Sequence, residues 1–341
     1  VSRALANRSL IGALGPFLAA VADYRGRKFG MLLGMVLLTL GLSIIVVWPT
    51  YPAFLILLIF TTLGKYIFDP SMQAYIGDRV PYQRRGRTLA ITELGWSLSF
   101  IIGIPVVSFM IDRWGWQSPY LGFVFFCLIG GGLLRFYLPD DSPDTIDKPK
   151  IWRNLRNVVC FPAALAGLAV GLTASSANEV INLVFGVWME DTFAFNVIAL
   201  GGTAAIIGFA ELGGEVFVGV FVDRLGKVNA IRLGLFLNCL AAVALPILGN
   251  STLGALLGLF LFYLTFEFTL VSIIPLMTEI MPDSRATLMA FNVTALSLGR
   301  ALGALIVTPL YRWGIIACAG GAVLFNFLGI VALKWMEKNV K

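Results

Sequence analysis

VADYRGRKFG (Val21 to Gly30) crowds Asp23, Arg25, Arg27 and Lys28 into six residues of an otherwise apolar chain, and FVDRLGKVNA (Phe221 to Ala230) nearly repeats it two hundred residues on. The solvent explains the contrast between these clusters and what surrounds them. Hydrophobic residues make up 58% and charged residues 13% of the 341, with a mean hydropathy of +0.87. Ordinary soluble domains are roughly 45–50% apolar and about 25% charged. A chain this apolar belongs in lipid, where helices satisfy their own backbone groups over runs of about 20 residues.

Such runs predict eleven spans, near residues 1–22, 29–48, 52–76, 89–111, 118–138, 158–188, 195–222, 231–249, 252–279, 287–311 and 315–334. Breaker residues punctuate them, as in WPTYP (Trp48 to Pro52) and GNST (Gly249 to Thr252). The expected fold class is therefore an all-α membrane protein. One long polar segment, PDDSPDTIDKPKIWRNLRN (Pro139 to Asn157), cannot bury apolar surface and reads as a linker. It divides the chain into residues 1–138 and 158–341.

Of the 25 Lys and Arg, 19 fall on the side that holds residues 23–28, 77–88, 135–157, 223–232, 280–287 and the C-terminus, which predicts a cytoplasmic location for that side. The same bias accounts for the net charge of +6 without a nucleic-acid partner. Cys127, Cys160, Cys239 and Cys318 lack metal-ligand spacing and read as packing residues. Without any histidine, a His-ligated haem or a histidine proton relay is excluded, so proton chemistry must use carboxylates. No cofactor or metal is expected.

The repeat extends beyond its opening motif. RVPYQRRGRTLA (Arg79 to Ala90) aligns with EIMPDSRATLMA (Glu279 to Ala290), and RWGW (Arg113 to Trp116) with RWGI (Arg312 to Ile315) after a one-residue slip. Parallel repetition of half-bundles is a transporter signature. In this register Val1 falls on Gly201, so the span at 158–188 has no counterpart, and the chain is expected to be a twelve-helix protein lacking its first span.

LAAVADYRGRK (Leu18 to Lys28) resembles the G-x-x-x-D-x-x-G-R-[KR] signature of the major facilitator superfamily, with Ala19 at the leading small position. VGVFVDRLGK (Val218 to Lys227) resembles its second-half copy, with Gly219 in place and Lys227 replacing Arg. The resemblance implies the major facilitator fold: two pseudo-symmetric six-helix bundles, here helices 2–6 in residues 1–138 and helices 7–12 in residues 158–341. It also implies a cytoplasmic gate formed by Asp23, Arg25, Gly26 and Arg27 with Asp223, Arg224, Gly226 and Lys227. SFIIGIPVV (Ser99 to Val107) only partly matches the fifth-helix G-x-x-x-G-P of antiporters, and its Gly103 and Pro105 read equally as a bend that permits close packing.

Ionisable groups within spans carry the site prediction: Arg3, Arg8, Lys65, Asp69, Glu93, Glu179, Glu211, Glu215, Glu267 and Arg300. Each costs roughly 2.5–3.5 kcal/mol at a helix centre on insertion scales, so each is expected to face inward, paired or functional. Their helices, counted with a restored first span, are the second, fourth, fifth, seventh, eighth, tenth and eleventh. The third, sixth, ninth and twelfth carry charge only at their ends and can face lipid.

Lys65 and Asp69 share a helical face and read as a structural pair or part of a substrate site. Arg8, deep in its span, needs an anionic partner, with Asp69 and Glu93 as candidates. Glu211 and Glu215 share a face and resist joint ionisation, as a proton carrier requires. Glu215 lies close enough to Asp223 to brace the gate instead, which leaves Glu211 and Glu267 as the leading proton candidates. An acid-rich second half favours protons and cationic or amphipathic compounds, and Trp96, Trp188, Phe266 and Phe268 are compatible with an apolar cavity.

Proton-coupled efflux from the plasma (inner) membrane of a prokaryote is the expected function, with the protein acting as a monomer. Uptake of a sugar or other metabolite is the nearest alternative, though only Gln73, Asn178, Asn182 and Asn292 offer the amides it would use. A non-transporting membrane subunit or scaffold is the second. Enzyme motifs such as G-x-S-x-G, H-E-x-x-H and the P-loop do not occur.

Overall fold

Glycine at positive φ marks where the helices of each half begin and turn. Gly26 (φ 100°) and Gly226 (φ 77°) precede two equivalent helices, and Gly115 (φ 85°) and Gly314 (φ 79°) sit in the two RWG turns. Side-chain-bearing residues rarely adopt that backbone region, so the repeat seen in sequence is also a repeat of backbone conformation. The computed structural model describes residues 26–79, 92, 95, 98–140, 156–281 and 285–340.

Among these residues the chain is helical throughout, with no strand. The helices are α1 (Arg27–Val47), α2 (Tyr51–Arg79), α3 (Ile104–Trp114), α4 (Ser118–Tyr137), α5 (Pro162–Asn182), α6 (Phe185–Phe193), α7 (Val197–Leu225), α8 (Lys227–Leu248), α9 (Thr252–Ile280), α10 (Arg285–Tyr311) and α11 (Ile315–Val340). Nine spans among the described residues are long and apolar enough to cross a bilayer, the α5–α6 pair counting as one. The other two expected spans, at 1–22 and 89–111, lie wholly or partly outside the described residues. Capping follows the sequence: Asn196 accepts from the Ala199 amide at 2.9 Å ahead of α7, and Ser251 from the Gly254 amide at 3.2 Å ahead of α9.

Contacts group the described residues into two compact units, one of residues 26–79, 92, 95 and 106–140, the other of residues 98–105, 156–281 and 285–340. In the first, α1 lies on α2 where Gly34 and Gly64 let two backbones meet. A Cβ on Gly34 would come within 2.8 Å of the Gly64 carbonyl and of the Phe68 Cβ. The second unit repeats this contact: a Cβ on Gly234 of α8 would meet Phe268 and Thr269 of α9. Close approach through small residues is how membrane helices gain packing where lipid gives no hydrophobic drive between them.

The second unit is centred on α5, whose inner residues are mostly Ala, Gly, Ser and Thr, so that α9, α10 and α11 pack closely around it. Gly299 and Gly303 of α10 sit directly on α5, since a Cβ at Gly303 would approach the Glu179 Cβ to 2.8 Å. A buried network joins the outer helices to α9. Asn326 of α11 donates to Asn238 of α8 at 2.6 Å, and Asn238 donates to the Phe262 carbonyl at 2.8 Å and to Thr265 at 2.9 Å. Outward faces are apolar, as on α4, where Phe126 and Phe136 are exposed; a bilayer is the surrounding such a surface requires.

Three local expectations are corrected. The 158–188 span breaks at Leu183 and Val184 into α5 and α6, without a Gly or Pro at the break. The Ser99–Gly103 stretch ahead of Pro105 is a turn of π-helix, and the close approach there is made by Gly208 of α7, against Phe100 and Ile101, rather than by Gly103. Cys160 is exposed, so packing is not its role, whereas Cys318 is buried in the core of the second unit.

Candidate functional site

Carboxylates gather inside the second unit because glycine lets the helices that carry them touch. Glu211 and Glu215 are one turn apart on α7, and between them Gly213 and Gly214 face α9. A Cβ at Gly214 would lie 2.8 Å from the Glu267 Cβ and 2.9 Å from the Leu264 carbonyl. Glu179 of α5 is held against Gly303 of α10. Glu179, Glu211 and Glu267 are all buried, at 8%, 6% and 9% exposure.

Glu211 stands apart within this group. Its Oε2 is buried and has no hydrogen-bond partner among the described residues. The charges that act on it are Glu215, of like sign, and Arg300 of α10, of opposite sign. Glu179 receives a long contact from the Asn182 amide nitrogen at 3.5 Å, and the Asn182 carbonyl oxygen accepts from the Tyr263 hydroxyl at 2.9 Å. Tyr263 lies within electrostatic reach of both Glu211 and Glu179.

Along the α5–α10 seam, more acceptors wait. Ser175 Oγ, Asn178 Oδ1 and Asn292 Oδ1 are buried without partners among the described residues, and Asn292 Oδ1 would lie 3.2 Å from a Cβ on Gly171. Gly171, Ser175 and Asn178 fall on one face of α5. A region of carboxylates and amide oxygens can take up protons, cations and hydrogen-bond donors.

The other predicted residues separate into three groups. In the first unit, Lys65 Nζ and Asp69 Oδ2 form an ion pair at 2.6 Å, with side chains 40% and 38% exposed. Gly26 and Gly226 are the N-terminal turn residues of α1 and α8, with Arg27 and Lys227 next to them half-buried and Arg224 exposed. Arg3, Arg8, Asp23, Arg25, Glu93 and Trp96 lie outside the described residues, as does the side chain of Asp223. Of the aromatic residues compatible with a cavity, two are packing residues: Trp188 fills the space over Gly249, and Phe268 is wedged between α7 and α8.

Tyr263 carries no signal in the sequence, where Asn182 stands out only as a possible sugar amide; the one-turn spacing of Glu179 and Asn182 is the available clue. Lys28, at the start of α1, is a buried cation that the charge pattern does not single out. Lys28 Nζ donates to the Leu138 carbonyl at 2.6 Å and to Asp140 Oδ1 at 2.8 Å, fastening the end of α4. Tyr75 donates to the Pro139 carbonyl at 3.3 Å and Arg79 to the Asp140 carbonyl. The second unit has a counterpart in Arg232 of α8, whose Nη2 contacts both oxygens of Glu337 of α11 at 2.7 Å.

Residues 8–304 match the family described as Major Facilitator Superfamily. The chain belongs to that superfamily. It is 25% identical to the uncharacterized MFS-type transporter YwfA of Bacillus subtilis (strain 168), over 95% of this chain and 80% of that protein. It is 22% identical to the inner membrane transport protein YdhP of Escherichia coli (strain K12), over 94% of this chain and 77% of that one. The fold of the D-xylose-proton symporter superposes with a TM-score of 0.76 at 18% identity, covering 100% of this chain and 86% of the symporter. The protein is thus a multi-pass membrane transporter with the major facilitator fold, and not an enzyme.

Proposed function

We propose that this transporter exports small amphipathic or cationic compounds in exchange for protons, across a bacterial inner membrane, with Glu211 as the proton carrier. The observation that carries this reading is the buried Glu211 carboxyl in a membrane span, with one oxygen unpartnered among the described residues. Intramembrane carboxylates are costly and mark proton and ion paths. Glu179 and Glu267 supply further negative charge to attract a cation, and Arg300 offsets part of it. Lys65 and Asp69, with Arg8 and Glu93, are proposed to complete the substrate path from the first half.

We assign residues 1–138 and 158–341 as the two half-bundles, joined by a cytoplasmic linker at 139–157. Asp23, Arg25, Gly26 and Arg27 with Asp223, Arg224, Gly226 and Lys227 form the cytoplasmic gate, braced by Glu215. A carboxylate at a helix N-terminus gains on the order of 0.3–2 kcal/mol, enough to bias two conformers without freezing either. Asp23→Asn is expected to impair transport while leaving membrane insertion unchanged.

A second function is favoured by a specific observation. The unpartnered oxygens of Ser175, Asn178 and Asn292 offer acceptors that suit a sugar or another hydroxylated metabolite. Transport in proteoliposomes separates the two. With an inward proton gradient, efflux of tetraphenylphosphonium should accelerate and D-xylose should remain unmoved. If xylose equilibrates and the phosphonium ion does not respond, uptake replaces efflux.

A further inference from the structure

We propose that Tyr263 is a positioning residue that joins Glu179 and Glu211 into one switch, so that a cation arriving at Glu179 releases the proton from Glu211. This rests on the assignment of Glu211 as proton carrier and says how substrate reaches it.

Tyr263 is 1% exposed on α9, between the helix that carries Glu179 (α5) and the one that carries Glu211 (α7). Its hydroxyl proton is committed to Asn182 Oδ1 at 2.9 Å. That bond fixes the amide: with Oδ1 turned to the phenol, Nδ2 is the end that points to Glu179 Oε2, at 3.5 Å. Among the described residues no hydrogen bond joins Tyr263 to Glu211, which acts on it through charge; the phenol oxygen keeps lone pairs that a protonated carboxyl would donate to on approach. The bridge therefore has a direction, with hydrogen-bond donors pointing from Tyr263 through Asn182 toward Glu179.

The charged groups around this bridge are Glu179 on α5, Glu211 and Glu215 on α7, Glu267 on α9 itself and Arg300 on α10. When a cation takes over Glu179, the Asn182 amide loses the carboxylate it serves and the amide and phenol are free to reorient. The field and hydrogen bonding at Glu211 change with them, and the proton leaves from the Glu211 carboxyl to water. No covalent bond is made or broken elsewhere. Gly303 packs against the Cβ of Glu179, which places the base of this side chain at the α5–α10 contact.

The test is tetraphenylphosphonium affinity of the purified full chain, measured from mildly acid to mildly alkaline solution. Wild type should bind more weakly as pH falls, by up to about tenfold per pH unit, the limit for one competing proton. Tyr263→Phe, which removes only the hydroxyl, should flatten that profile while the thermal midpoint stays near wild type. A purely structural hydrogen bond would lower the midpoint and leave the profile intact. Asn182→Ala breaks the same bridge from α5 and should flatten it too, which keeps the test decisive if Tyr263→Phe fails to fold.

Glu211→Gln separates the two levels. If it flattens the profile and both bridge variants keep the wild-type slope, the bridge is wrong and Glu211 remains the carrier. If Glu211→Gln itself keeps the wild-type slope, the carrier assignment fails. If wild type binds no phosphonium ion, the two fall together.

Discussion

Lys28 shows at the scale of one residue why a motif's letters do not disclose its contacts. In sequence it is one more basic residue of a charged cluster between spans, and its positive charge is all that the distribution rule needs. In the structure its side chain is 8% exposed and satisfies both the last carbonyl of α4 and the Asp140 carboxylate. Lys28→Ala should therefore lower the thermal midpoint more than Asp140→Asn, because it also takes the donor from the half-buried Leu138 carbonyl, a loss of about 0.5–1.5 kcal/mol. Lys28 beside it holds the Asp140 carboxyl below the usual carboxylate range, and Arg135 and Arg79 add to that. Its contribution is present throughout the ordinary carboxylate range and above, and is lost as pH falls through the lowered value. The midpoint difference between wild type and Asp140→Asn should accordingly persist in mildly acid solution and vanish only in strong acid, as followed by thermal scans at several pH values.

Among the elements, the spans were legible because lipid allows only long apolar helices, and breaker residues mark their ends. What was not legible depended on side chains meeting across helices. The break between α5 and α6 has no breaker residue and follows Asn182, which is engaged by Tyr263 of another helix. The π turn at Ser99–Gly103 needed Gly208 of α7, over a hundred residues away, to receive it. Gly34→Leu should separate α1 from α2, since its side chain would be driven into the Gly64 backbone at an expected cost of about 1–3 kcal/mol or more. Gly234→Leu should do the same to α8 and α9. Asn238→Leu would leave Asn326 and Thr265 short of a partner and should cost about 1–2 kcal/mol, on the scale of interhelical hydrogen bonds in membranes. Thermal unfolding in detergent reads all three. Gly226→Ala should cost about 1–2 kcal/mol for its left-handed backbone alone, since a Cβ there touches nothing.

In the whole molecule, two kinds of information are superimposed on one repeat. Architecture repeats: the Gly26 and Gly226 turns, the two RWG turns, and the Gly34–Phe68 and Gly234–Phe268 contacts recur at nearly constant offset, whereas the ion pairs Lys28–Asp140 and Arg232–Glu337 join corresponding helices out of that register. Chemistry does not. Under the same offset Glu211 and Glu267 fall on Ile11 and Ile67, so these two buried carboxylates have apolar residues at their counterpart positions. Repetition makes the fold readable from sequence, and charge inside an apolar span makes the carboxylates readable as special. Which of them shares a hydrogen-bonded bridge was beyond sequence, because Tyr263 and Asn182 are unremarkable residues until α9 and α5 are side by side. The proposed role of Glu211 as proton carrier is open to measurement as proton movement driven by tetraphenylphosphonium in proteoliposomes, compared among wild type, Glu211→Gln and Glu267→Gln. Glu211→Gln should abolish proton movement yet still exchange phosphonium for phosphonium, while Glu267→Gln remains coupled. Undiminished proton movement in Glu211→Gln would remove Glu211 from that role.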